Sequence, residues 1–140
     1  MKKILFCFLF LSVVFVGCNE NVNNNDGKGL DADVDINDIF NKGKVYLEQD
    51  GDVEKAIEQF NKALKIDDKA DWIIADLGRA KQEKGDIEGA IECYTRAIEL
   101  NNQRSAYYYW RSVAYGSLGK EDLAQKDKEI ADDLHSKGLN

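Results

Sequence analysis

Proline is absent from the 140 residues, histidine and methionine occur once each, and cysteine occurs three times. Without proline, something else has to end the helices, and glycine-bearing turns are the first place to look. Positive charge is short as well: 19 Lys and Arg stand against 26 Asp and Glu, a formal net charge of −7. That balance disfavours a nucleic-acid partner, because phosphates have to be met by a basic surface. The lone histidine, His135, lies near a helix end, where it suits the dipole. Metal or hydrolytic chemistry needs a convergent donor set, and none is legible; nor is a Gly-rich phosphate loop, a cofactor motif or a small-molecule site. Ile4 to Val16 is a run of thirteen mostly apolar residues, too short to cross a bilayer.

What the chain has instead is a repeated pattern. From Asp71 to Arg104 an apolar stripe runs through Ile74, Leu77 and Gly78, stops at Gly85-Asp86, and resumes as Ile87, Ala90, Ile91, Tyr94, Ala97 and Ile98. Spacings of three and four make the second run one face of an amphipathic helix. Gly85-Asp86 supplies a turn, with Asp86 placed to cap the helix that follows. The unit is a helix–turn–helix hairpin of 34 residues, and it recurs. Ala56, Ala90 and Ala124 are 34 apart, as are Ala63, Ala97 and Ala131, Gly51, Gly85 and Gly119, and Ile66, Leu100 and Leu134. A shared period of this length means stacked helix pairs.

Three such units are expected, over residues 36–69, 71–104 and 105–138. In the first, the second-helix stripe is Val53, Ala56, Ile57, Phe60, Ala63 and Leu64. Gly43 and Gly78 are 35 apart rather than 34, and the extra residue is expected in the turn, around Asp50. The third unit begins near Ser105, with Tyr108, Ser112 and Tyr115 on its first helix. Its second helix carries Glu121, Ala124, Gln125, Lys128, Ala131 and Asp132 at the stripe positions, leaving a narrow apolar line through Leu123, Ile130 and Leu134. A terminal repeat needs a solvent-compatible outer face, so this helix reads as a built-in cap, with Gly138 as its stop.

These residues resemble the tetratricopeptide repeat family, over about Ile36 to Leu134. In that family small residues sit where paired helices cross, and here they are Gly43, Gly78 and Ser112 on the first helices and the two alanine columns on the second. A side chain no larger than alanine lets helix axes approach to roughly 8–10 Å. The aromatic column is present as Phe60 and Tyr94 but broken by Lys128, and Asp68 and Asn102 stand where the family has proline. The resemblance implies an all-α, right-handed solenoid of three hairpins and six helices. It also implies a concave face lined by the first helices: Phe40, Lys44 and Leu47; Trp72, Ala75, Arg79 and Gln82; Tyr109, Val113 and Gly116, with Trp110 at the edge. Aromatics and arginine dominate binding energy at interfaces, so this face is the candidate partner site for an extended or helical segment. Trp72 and Tyr109 could instead pack against neighbouring helices. The carboxylate clamp of chaperone-binding members is not expected, since Phe40, Lys44, Asp76, Ala106 and Trp110 do not carry its residues.

The start of the chain belongs to a different class. Met1-Lys2-Lys3 and the apolar run fit a secretory signal peptide, and Phe15-Val16-Gly17-Cys18 resembles the lipobox of bacterial lipoproteins. That resemblance implies a signal over residues 1–17, cleavage before Cys18, a lipidated thiol and a membrane anchor. Two or more acyl chains hold firmly where one is marginal. Asn19 after the cysteine favours the outer membrane under enteric-type sorting. Residues 18–35 are rich in Asn, Asp and Gly and read as a flexible tether. Asp31, Asp33 and Asp35 imitate a calcium loop, but Ile36 and Lys42 occupy the places of its glycine and closing glutamate. Cys93 reads as a small core hydrophobe with no histidine to activate it. The expectation is a non-enzymatic, lipid-anchored adaptor that holds another protein or peptide of the bacterial envelope. The alternatives are a structural subunit that uses its convex face or repeat ends, and an enzyme acting through Cys93.

Overall fold

The computed structural model describes residues 35–139; the signal, Cys18 and nearly all of the tether lie outside them. Among the described residues the chain forms α1 (Ile36–Val45), α2 (Val53–Leu64), α3 (Asp71–Lys84), α4 (Ile87–Leu100), α5 (Ser105–Ser117) and α6 (Glu121–Ser136), with a short π-helical turn over Tyr46–Asp50. Each helix packs on the one before it and the one after it, so three hairpins stack in an all-α row. None of these helices is long and apolar enough to cross a membrane.

Local chemistry explains where helices start and stop. Asp35, Asp52 and Asp86 each turn a carboxylate back to a free backbone N–H at the start of α1, α2 and α4, accepting from Asn37, Lys55 and Gly89. Gly51, Gly85 and Gly119 all have positive φ, at 66°, 92° and 68°, which glycine adopts without the Cβ penalty. They reverse the chain without proline.

The extra residue of the first unit is not in the turn. Gly43 to Gly51 is eight residues, whereas Gly78 to Gly85 and Ser112 to Gly119 are seven. In the second and third hairpins the residue after the glycine donates five residues back, Asp86 N to Lys81 O and Lys120 N to Tyr115 O, at 2.9 and 3.0 Å. In the first, Asp52 N reaches six residues back to Tyr46 O at 2.9 Å. The surplus residue is wound into the last helical turn as a π-bulge, with Asp50 inside it.

The small-residue columns do what close approach requires. A Cβ on Gly43 would lie 2.7 Å from Cε1 of Phe60, and one on Gly78 would lie 2.7 Å from Cε1 of Tyr94. Each ring therefore lies over a bare backbone. In the third hairpin the ring is replaced by Lys128, and Ser112 fits where glycine stood, its Oγ donating to Tyr109 O at 2.7 Å. Glycine and ring disappear together because each is needed only by the other. The core is completed by the fully buried Ala56, Ala63, Ile73, Ile74, Ala80, Ala90, Cys93 and Ala97.

The last hairpin is fastened differently. Asp127 is 3% exposed and accepts two bonds from Arg111, Nε to Oδ2 at 2.7 Å and Nη2 to Oδ1 at 2.9 Å. Arg111 Nη1 also donates to Thr95 of α4 at 3.0 Å, and its guanidinium lies 5.8 Å from the rings of Tyr108 and Tyr115. One fully employed arginine thus ties α4, α5 and α6 together.

Candidate functional site

The inner wall is built from α1, α3 and α5, and its centre is Arg79. Nη1 of Arg79 donates to Asp76 Oδ1 at 2.9 Å and reaches Glu48 Oε1, on the π-turn, at 3.5 Å. The guanidinium lies over the ring of Trp110, 5.4 Å from its centroid. Lys44 sits 3.6 Å from the same Glu48 oxygen and 6.0 Å from the Phe40 ring. Burial pushes the carboxyl of Asp76 upward, and its hydrogen bond to Arg79 opposes that only in part. Trp110 is itself held between Tyr94 and Tyr107, with ring centroids 6.1 and 6.0 Å away.

Several expectations about this wall need correction. Leu47 and Ala75 are core residues, 5% and 1% exposed, so they shape the wall without offering surface. Trp110 is not at an edge; it is half-buried and forms the floor beneath Arg79. Lys44 and Arg79 stand on the wall charge-paired, Lys44 with Glu48 and Arg79 with Glu48 and Asp76. Gln82 accepts a hydrogen bond from the Tyr94 hydroxyl at 3.1 Å. Trp72 is the large aromatic left open on α3, at 40% exposure. Tyr109 and Val113, 55% and 42% exposed, do not join this floor: they face α6 across a depression at the far end of the row. Glu48 is the wall residue that reasoning from the sequence misses, because the π-turn decides where it points.

Residues 39–69 match the family model for the tetratricopeptide repeat, and residues 78–119 match a second model described as TPR repeat. The chain carries tetratricopeptide repeats. Among solved structures, the repeats resemble the second TPR domain of Spaghetti (RPAP3) bound to the HSP90 peptide SRMEEVD. That likeness has 25% identity and a TM-score of 0.67, and covers 71% of this chain and 91% of that one. They also resemble MamA, at 27% identity and a TM-score of 0.67, over 71% of this chain and 58% of MamA. The type III secretion translocator chaperone SycD of Yersinia enterocolitica shares the fold, at 17% identity and a TM-score of 0.69, over 72% and 76% of the two chains. No curated protein matches the sequence.

The positions compared above with the carboxylate clamp hold Phe40, Lys44, Asp76, Ala106 and Trp110, and the carboxyl of Asp76 is taken up by Arg79. Cys93 is wholly enclosed, pressed against the α3 backbone at Gly78, so no substrate reaches its thiol. Among the described residues no group of three or more His, Cys, Asp or Glu is placed to hold a metal.

Proposed function

We propose that this protein is a lipid-anchored TPR adaptor, without catalytic activity, that holds a segment of another bacterial envelope protein on its inner wall. The observation that carries the reading is the wall itself: Trp72 stands 40% exposed beside a charge-paired floor in which Arg79 is pinned by two carboxylates and a tryptophan ring. Rigid aromatic and arginine surface is what interfaces use as anchors. The RPAP3 domain, alike in fold, holds a peptide. The lipobox-like Cys18 supplies the anchor in this reading, through a tether that leaves the domain free to reach a partner.

The test is a capture experiment on the full-length protein in its own membrane, with a photo-crosslinker at position 72 and, as control, at the exposed Glu58 of α2. Adducts of one protein at 72, absent at 58 and lost when Lys44 and Arg79 are both changed to Ala with helicity intact, are the expected result. Equal adducts at both positions would defeat the inner-wall reading. Loss of lipid labelling and of membrane fractionation in Cys18→Ala checks the anchor separately. A second reading, a structural subunit working through its repeat ends, is favoured by the exposure of Tyr109 and Val113.

A further inference from the structure

Among the described residues the stack has an open end at α5 and α6, and the repeat itself shows what fits there. Between α5 and α6 lies a depression of about 510 Å³ lined by Tyr109, Ser112, Val113, Ala124, Gln125 and Lys128, with Glu121 and Asp122 at one end. Thirty-four residues earlier, the same place in the second hairpin is covered by α5, whose Ala114 packs with Ala90 and whose Trp110 packs on Tyr94. In the first hairpin it is covered by α3, through buried Ile73, Leu77 and Ala80. Each covering helix follows the one it covers through a short connection, so the two run antiparallel. At the first seam Lys84, in the last turn of α3, reaches Glu54 of α2 at 3.8 Å. Asp122 is the residue that the repeat places where Glu54 stands.

We propose that this open end is a seat for one α-helix of a partner protein, antiparallel to α6, with a small residue over Ala124, an acid toward Lys128 and a base in its last turn toward Asp122. The seat does not suit a second copy of this chain. The helix a second copy would offer is α1, whose outward face carries Asp38, Asn41 and Lys42 where α3 has Ile73, Asp76 and Leu77. Only Val45, 41% exposed, matches the place of Ala80. Too little apolar area is left to drive stacking of copies. This surface is separate from the inner wall, and each can fail alone.

The sequence of α3 is the ready-made probe, because it holds Asp76, Ala80 and Lys84 in the required places. A labelled, end-blocked peptide of residues 71–84 is titrated into the intact protein and followed by anisotropy and by amide chemical shifts. Saturable binding is expected, with shifts at Val113, Ala124 and Gln125. Lys128→Glu should weaken it about two- to fivefold, the effect of one exposed ion pair. A peptide carrying Asp76→Lys should then prefer the Lys128→Glu protein. Ala124→Arg should abolish binding; because Ala124 is half-buried, the exposed charge swap carries the decision if that variant misfolds. Glu58→Ala, on the exposed side of α2, should leave peptide binding unchanged. The proposal is overturned by absence of saturable binding, by affinity indifferent to the charge swap, or by shifts confined to Trp72 and Lys44. Dimerisation of the protein alone that Ala124→Arg or Lys128→Glu abolishes would overturn it in favour of a second copy.

Discussion

Helices α4 and α6 hold the same place in successive hairpins, yet they are kept there by different physics. Along α4 the stripe is Ile87, Ala90, Ile91, Tyr94, Ala97 and Ile98, buried or half-buried under α5 and α3. Along α6 the equivalent positions are Glu121, Ala124, Gln125, Lys128, Ala131 and Asp132, of which only the alanines are even half covered. What α6 loses in apolar area it recovers in part through the buried Arg111–Asp127 pair. An interior seam is held by packing and tolerates no loss of volume. The last hairpin packs on Ala131 and Ser112 and leans in addition on one buried ion pair, so a loss of charge counts there.

Truncating the ring column should separate the two most sharply. Tyr94→Ala removes a side chain 1% exposed that fills the space over Gly78 and should cost about 3–5 kcal/mol. Lys128→Ala, at the same place one repeat later, should stay within about 0.5 kcal/mol of the parent. Urea denaturation measures both, and equal losses would mean the outer face of α6 is not the solvent face described above. Next in size is Asp127→Asn, which leaves Arg111 buried without its counter-charge and should cost about 3 kcal/mol. Its signature is local: amide exchange should rise in α6 first, with α3 and α4 still protected. Uniform loss of protection would assign the pair to the whole stack instead.

Much of this difference is written in the 34-residue step. Glycine turns, aspartate caps and alanine crossings are local and repeat in register, so the solenoid could be read without coordinates. The buried ion pair was readable in principle: Asp127 falls one step after Cys93 and two after Gln59, and all three positions face the partner helix of their own hairpin, at 3%, 0% and 9% exposure. An aspartate in a charged helix looks like a solvated face, which hides that. The π-bulge was half legible, since the eight-residue interval from Gly43 to Gly51 puts the surplus before the turn glycine. The site was harder to read. Choosing residues by family position put Trp72 and Arg79 on the wall, and the Arg79–Asp76 pair, three residues apart on one helix, was open to sequence reading; the Glu48 contact was not, because it is made only through the bulge.

The smallest effect concerns the wall, where the ion pair is partly exposed and burial competes with it. Asp76 has its carboxyl raised above the ordinary value of 3.8, with desolvation the larger cause and the Arg79 hydrogen bond working against it. A group whose folded pKa lies above its unfolded one holds its proton more tightly when folded. Its contribution to stability is therefore present in acid and is lost as pH rises through the folded value. Asp76→Asn keeps an oxygen for Arg79 and cannot ionise, so its stability relative to the parent should grow as pH climbs from about 3.8 and level off towards neutrality. Denaturant midpoints for the parent and Asp76→Asn across that range decide the matter. If the Asp76→Asn advantage shrinks with rising pH, pairing outweighs burial on the wall.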